Sequence, residues 1–213
     1  MNSVKRTAVA ATLALAAGLT LTHWISDGFA AWTLESARRL HALQSPAPVP
    51  DIALELADGG RTRLAALPGE VLLVDFIYTS CASYCSALGS VYAQLQQRLA
   101  PEIAAGKVRL VSVTFDPARD GTTQLKAYRA RHSKSTAGWD LGRPESADMA
   151  RWLEAFGVVV IPDRMGGYTH NAAVHVVGPD RKLVAILDAQ DIDGAVNTAR
   201  RLAGTEKLHV AAH

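Results

Sequence analysis

The chain has 213 residues, of which 22 are Lys or Arg and 20 are Asp or Glu, so its formal net charge at pH 7 is +2. So small a net charge gives no strong attraction to nucleic acid, and the chain has no basic run with interleaved aromatic residues, no Walker loop and no G-x-G-x-x-G motif. A chain of this length can bury a good core without disulfides, and it contains only two cysteines.

The N-terminus is predicted to be a membrane anchor. Lys5 and Arg6 precede an apolar stretch, residues 7–25, which is close to the ~20 residues needed to span a bilayer and longer than the apolar part of a usual signal peptide. A cleaved signal is the alternative, because Phe29-Ala30-Ala31 offers small residues at cleavage positions. In both cases residues 1–30 direct export. The predicted location is the inner (cytoplasmic) membrane, with the main domain in the periplasm.

Three further regions follow this segment. Residues 31–50 are predicted to be a linker, with a short polar helix over 33–39 and a Pro-rich extended stretch over 41–50. Residues 51–204 have the pattern of one α/β domain of ordinary size. Residues 205–213 are predicted to be a frayed, flexible tail.

The elements of the body are predicted in the order of a thioredoxin-like fold. A hairpin or two short edge strands open the body around Asp58-Gly59-Gly60, and apolar β-branched runs predict buried strands over 71–78 and 108–115, separated by a helix over 86–99. Asp120 is predicted to be the N-cap of a helix reaching about residue 132. A short strand over 139–141, a helix over 146–156, strands over 172–177 and 182–187, and a helix over 191–203 complete the body. We therefore expect an α/β fold with a central mixed sheet flanked by helices.

Both cysteines, Cys81 and Cys85, lie between the first buried strand and the helix that follows it. A helix N-terminus presents free N–H groups and the positive end of the dipole, and both favour a thiolate that can bind metal or exchange disulfides. The spacing is C-x-x-x-C rather than C-x-x-C, and residues four apart share one helix face. Both sulfurs can then point at one external atom. A purely structural disulfide is the alternative, but so short a loop gains little stability from closure.

Four segments occur together: the strand and cysteine pair over 74–85, VSVTFDPARD over 111–120, EAFGV over 154–158 and YTHNAAVHVVGPD over 168–180. In this combination the chain resembles the SCO/SenC family of copper-binding assembly proteins of cytochrome c oxidase, from about residue 49 to residue 203. The resemblance implies one N-terminal membrane span and a metal-binding histidine ahead of the strand that ends in Gly-Pro-Asp, which is His170 here. Ser86 stands where the family commonly has Pro. Thr169 stands where it commonly has Asp, a carboxylate that would orient the imidazole.

Two thiolates and one imidazole form a soft three-ligand site that suits Cu(I) and can also hold Cu(II), whereas zinc more often has four protein ligands. We therefore predict a copper site formed by Cys81, Cys85 and His170. His175 lies five positions after His170, an odd offset that puts it on the opposite face of a continuous strand, so it is predicted to be a packing residue. His209 and His213 belong to the predicted tail, and Asp116 and Asp120 are predicted to shape a loop and a helix start.

The family resemblance implies a metallochaperone rather than an enzyme. Its expected partners are the apo copper-site subunit of cytochrome c oxidase, a periplasmic thiol reductant or copper donor, and the membrane. The main alternative is a thiol–disulfide oxidoreductase that uses the same two cysteines to keep those of a copper-site apoprotein reduced. Both functions depend on thiolates of lowered pKa, so that property does not separate them. A peroxidase lacks its usual Pro and Thr in the required positions ahead of the cysteine, and a copper-sensing module is the remaining interpretation.

Overall fold

A computed structural model describes residues 3–26, 28, 32–80, 84–164 and 166–204, without the side chains of residues 84–86. The strands in these ranges are β1 (Ala47–Pro48), β2 (Ala53–Leu56), β3 (Arg61–Arg63), β4 (Val71–Ile77), β5 (Val108–Thr114), β6 (Trp139–Pro144), β7 (Val160–Pro162), β8 (Tyr168–His170), β9 (Ala173–Val177) and β10 (Lys182–Asp188).

Within the described residues, eight of the strands form one mixed sheet in the order β1-β10-β9-β4-β5-β6-β2-β3, and β7 and β8 form a separate antiparallel hairpin. Strands β4, β5 and β6 run parallel to one another, whereas β9 pairs with β4 in the antiparallel direction. The opening hairpin is confirmed as β2 and β3. Strand β4, at the centre, is buried along its whole length.

The helices of the described ranges are α1 (Ser3–Ile25), α2 (Leu34–Gln44), α3 (Tyr84–Arg98), α4 (Ala100–Ala104), α5 (Thr122–His132), α6 (Met149–Phe156) and α7 (Ile192–Leu202). Helix α3 contacts both α5 and α7, and its Tyr92 packs against Trp139 of β6 with the ring centroids 5.9 Å apart. On the opposite face of the sheet, Phe76 of β4 packs against Trp152 and Phe156 of α6. The predicted central mixed sheet flanked by helices is confirmed.

The segment before the sheet is more ordered than we predicted. Helix α2 continues to Gln44, so residues 41–44 are helical rather than extended. Thr33 begins the helix with a capping box, in which its hydroxyl accepts a hydrogen bond from Ser36 N. Ala42 is buried and the helix contacts β10. Packing on the body therefore stabilises a helix in a stretch whose prolines suggested extended chain.

One predicted helix start is wrong, and a second differs in the type of helix. Helix α5 begins at Thr122, and its N-cap residue is Gly121, which makes no side-chain cap; Asp120 is not the cap. The helix predicted over 146–156 begins as a 3-10 turn, Ser146–Asp148, before α6.

Helix α1 is long and apolar enough to cross a membrane, and none of its most apolar stretch is buried against the rest of the protein. A signal sequence has the same length and composition at this position. The N-terminal helix therefore has the length and composition of an anchor or a signal segment, and its role stays a prediction.

Candidate functional site

The cysteine pair is carried by the connection between the central strand and the helix after it. Strand β4 ends at Ile77, and Cys85 is the second residue of α3. This confirms the predicted place of Cys85 at a helix N-terminus, although its side chain lies outside the described part of the structure. Cys81 lies outside the described residues. Its position relative to Cys85 and His170 stays a prediction.

The chain leading to Cys81 is fixed by one buried carboxylate. Asp120 accepts hydrogen bonds from Thr79 N at 2.9 Å and from Thr79 Oγ1 at 2.5 Å. It also accepts one from Thr114 Oγ1 at the end of β5, at 2.6 Å. Asp120 therefore joins the chain after β4 to the end of β5, at a point two residues before Cys81. Because its carboxylate is used in these hydrogen bonds, Asp120 does not cap α5.

The β7–β8 hairpin brings His170 to the same end of the sheet. The Tyr78 hydroxyl, directly after β4, accepts a hydrogen bond from Tyr168 N at 3.2 Å and donates one to Tyr168 O at 3.3 Å. The rings of Tyr78, Phe115 and Tyr168 pack against each other with centroids 5.3 to 5.5 Å apart. His170 follows Tyr168 by two residues. The strand that carries it is thus attached to the chain segment that leads into the cysteines.

The surroundings of His170 favour a neutral imidazole, the form that can donate a lone pair to a metal ion. Its ring packs edge-on against Phe115, with centroids 5.1 Å apart. Both ring nitrogens are buried, and neither has a hydrogen-bond partner among the described residues. Burial lowers the pKa of His170 below its usual value. The neutral ring therefore has an available lone pair, and no described carboxylate orients it, in keeping with Thr169 at the preceding position.

His175 lies in a different environment. It is buried on β9, its Nδ1 lies 3.1 Å from Val74 O and its Nε2 lies 3.3 Å from Arg38 Nη1. Nδ1–H therefore donates to the carbonyl, and Nε2 accepts from the guanidinium. Burial, and then the charge of Arg38, lower the pKa of His175 to about 3. With both nitrogens in use, His175 is a packing residue, as predicted. The reason differs from the predicted strand alternation, because β8 and β9 belong to different sheets.

Two residues near these elements were not singled out from the sequence. Arg38 lies in a polar helix whose spacing gives no indication of its partner, 137 residues away. Asp75 is the one charged residue within β4, and that isolation in an apolar run was an available signal. Complete burial raises the pKa of Asp75 to about 8, an effect that the hydroxyl of Ser112 on β5 only partly offsets. Asp75 is therefore protonated at neutral pH.

The described side chains do not by themselves include a group of three His, Cys, Asp or Glu residues that could hold a metal ion. Neither cysteine side chain is among them. Of the predicted ligands, the described residues locate the imidazole of His170 and the backbone of Cys85. His209 and His213 also lie outside the described residues.

Comparison with known proteins identifies the family. The family model described as SCO1/SenC matches residues 49–204. A SCO1 protein homolog of Bacillus subtilis is 33% identical over 144 residues, which are 66% of this chain and 71% of that protein.

Solved structures have the same fold as this chain. BsSco, described as a member of the Sco family of cytochrome c oxidase assembly proteins and as having a disulfide switch, is 25% identical with a TM-score of 0.66, over 76% of this chain and 96% of that one. Bradyrhizobium japonicum ScoI with copper bound is 19% identical with a TM-score of 0.62, over 73% of this chain and 99% of that one. The extent of the family match and the identity to the Bacillus subtilis protein lead to one conclusion: this chain belongs to the SCO1/SenC family.

Proposed function

We propose that this chain binds copper through the thiolates of Cys81 and Cys85 and the imidazole of His170, and delivers it to the apo copper-site subunit of a cytochrome c oxidase. The observation that carries the proposal is the His170 ring, whose two nitrogens are buried without a described partner. Burying polar atoms in this way is unfavourable unless something satisfies them. A copper ion bound at this end of the sheet would satisfy one of them.

The surroundings of His170 suit a metal ligand better than a general base. A ligating imidazole must be neutral, and burial, which lowers the pKa of His170, favours the neutral form. The ring lies on a strand that is joined through Tyr78 to the segment before the cysteines, which supports a site shared by His170 and the cysteine pair. Thiolate sulfur and imidazole nitrogen together match the preferences of copper.

A site of three donors also suits delivery. An incoming apoprotein can add its own ligand to the metal before the first of the three lets go, so that copper is passed without being released to water. Helix α1, if it stays in the membrane, would keep the copper-binding domain on the periplasmic side of the inner membrane, beside a membrane-bound oxidase. A periplasmic copper donor or thiol reductant would load the site.

The test is copper binding to the full chain in detergent with reduced thiols, followed by transfer to an apo copper-site domain. Wild type should take up one copper per chain and lose it to the acceptor, as read by mass spectrometry. Cys81→Ser, Cys85→Ser and His170→Ala should each bind copper at least about tenfold more weakly, because each loses one metal ligand and tenfold corresponds to only about 1.4 kcal/mol of binding free energy. His41→Ala, at an exposed histidine of α2, is the matched control and should bind normally. Unchanged binding in His170→Ala, or full binding by disulfide-oxidised protein, contradicts the ligand set.

A second candidate is thiol–disulfide exchange with the cysteines of a copper-site apoprotein. The disulfide switch described for BsSco favours it, and it requires the same two cysteines. The transfer experiment, run with the acceptor as its disulfide and as its dithiol, separates the two functions. A reductase converts the acceptor disulfide into two thiols while Cys81 and Cys85 become a disulfide, and transfers no copper, whereas a chaperone leaves the dithiol acceptor with copper.

A further inference from the structure

Helix α2 places one arginine at the junction of three parts of the fold. The side chain of Arg38 is only 15% exposed. Its Nη1 lies 3.0 Å from Phe156 O, 3.1 Å from Gly157 O and 3.3 Å from His175 Nε2. On its other edge, Nε and Nη2 donate to the two carboxylate oxygens of Glu35 at 3.0 and 2.8 Å. A bidentate pair of this kind fixes the plane of a guanidinium, so the remaining edge is aimed at the end of α6.

The carbonyls that Arg38 reaches belong to the C-terminus of α6. The last carbonyls of a helix have no partners within the helix, and a positive charge there also interacts favourably with the helix dipole. Gly157 ends the helix in the left-handed conformation, with φ 62°. A Cβ at Gly157 would come within 2.7 Å of Arg38 Cδ. The arginine therefore both caps this helix end and packs directly against it.

The carbonyl of Gly157 continues the contact into the hairpin that carries His170. Asn171 donates its Nδ2 to Gly157 O at 3.0 Å, and its Oδ1 accepts from Val159 N at 2.7 Å. Asn171 directly follows His170, and His170 is paired with Val160 across the hairpin. Arg38 and Asn171 thus share one carbonyl oxygen, and together they close the base of the hairpin.

We propose that Arg38 is a positioning residue for His170, because it braces the base of the β7–β8 hairpin through Gly157 and Asn171. The inference rests on the proposed role of His170 as a copper ligand. Arg38 lies outside residues 49–204, the range that the SCO1/SenC family model matches. The brace is therefore supplied by the segment that joins the copper-binding domain to α1, and not by the family domain itself. It holds an imidazole that has no described hydrogen-bond partner of its own.

The first test measures the hairpin without copper, in the full chain in detergent with reduced thiols. Arg38→Met keeps most of the side-chain volume and removes the hydrogen bonds. Arg39→Met is the matched control, since Arg39 is the next residue, also pairs with Glu35 at 2.7 Å and reaches Asp188 rather than the hairpin. Amide hydrogen exchange at residues 158–161 and 168–171 should accelerate at least about tenfold in Arg38→Met, the effect of losing one buried charged hydrogen bond. Exchange in β4 should not change, and Arg39→Met should match wild type. Equal exchange at the hairpin in the two variants, or acceleration spread over the whole sheet, overturns the brace.

The second test measures the metal. Copper dissociation into a competing chelator should be about tenfold faster in Arg38→Met than in Arg39→Met, and the thiolate-to-Cu(II) absorption of Arg38→Met should shift. Arg38→Lys keeps the charge but cannot hold Glu35 and two carbonyls together, so it should restore part of the loss. Should Arg38→Met fail to fold, hairpin exchange and copper dissociation are measured in Arg38→Lys against Arg39→Lys. Both rates should again be faster in the Arg38 variant, by a smaller factor. Unchanged dissociation and spectrum overturn the positioning role. Normal copper binding by His170→Ala instead overturns the ligand set, while the copper-free exchange result still decides the brace.

Discussion

Replacing Asp75 by Asn should change how the stability of this protein depends on pH. Asp75 is fully buried on the central strand, and burial raises its pKa to about 8 from an ordinary 3.8. The folded chain therefore keeps this proton at neutral pH, whereas the unfolded chain has lost it. From about pH 4 to pH 8 the unfolded state binds one proton fewer than the folded state, so the free energy of unfolding falls as the pH rises.

His175 has the opposite effect at lower pH, because it makes the free energy of unfolding rise as the pH rises. Its pKa is lowered to about 3, by burial first and then by the charge of Arg38, so below about pH 6.5 the unfolded state binds an additional proton that the folded state does not. The two effects oppose each other between about pH 4 and 6.5, and above that range only the contribution of Asp75 continues. From pH 6.5 to 8 the loss is about 2 kcal/mol, at ~1.4 kcal/mol for each pH unit.

Thermal melts of the copper-free protein at three pH values measure this loss. The wild-type Tm should fall by about 4–8 °C between pH 6.5 and pH 8, since 1 kcal/mol corresponds to about 2–4 °C for a chain of this size. Asp75→Asn should have a flat profile over the same interval. It should lose stability below pH 6.5 more steeply than wild type, because the effect of His175 is then unopposed. Equal slopes for the two proteins between pH 6.5 and 8 would refute the reasoning, because they would mean that Asp75 carries its charge inside the folded protein.

Three further outcomes are expected. His175→Ala should cost about 2–4 kcal/mol through a buried cavity and two lost hydrogen bonds, with near-normal copper loading; lost copper binding at an unchanged Tm contradicts this. Asp120→Ala should remove three hydrogen bonds from the ends of β4 and β5 and lower the free energy of unfolding by about 2–3 kcal/mol. The double variant Asp120→Ala with Thr79→Val should be little less stable than Asp120→Ala alone. Additive losses of stability would argue against a shared network. The full chain should stay with membranes after a carbonate wash; a shortened chain that begins near residue 31 would show instead that the N-terminal segment is a cleaved signal.

The sequence predicted well the parts of the fold that depend on the local pattern of apolar residues. The apolar, β-branched run that became β4 is buried at all seven positions, so it has the pattern of a central strand. The helical spacing after the cysteines likewise gave α3. The assignment of His170 depended on the family resemblance, which places the metal-binding histidine ahead of the strand that ends in Gly-Pro-Asp.

The contacts that sequence did not predict join residues far apart in the chain. Asp120 has the local pattern of a helix cap, but its carboxylate instead accepts hydrogen bonds from Thr79, after β4, and Thr114, at the end of β5. The contact of Arg38 with His175 spans 137 positions. No periodicity within α2 could indicate it, because it depends on where the sheet places β9.

Both edges of the eight-stranded sheet are short, and each carries residues that discourage pairing with a further strand. Strand β1 has two residues, and one of them, Pro48, has no N–H to donate. Strand β3, at the other edge, has three residues, of which Arg61 and Arg63 are exposed. Long, apolar, unpaired edges are the usual templates for fibrous aggregation. A neighbouring copy of this chain finds no such template at either edge of the described eight-stranded sheet, so crowding of many copies does not favour growth of this sheet from one molecule into the next.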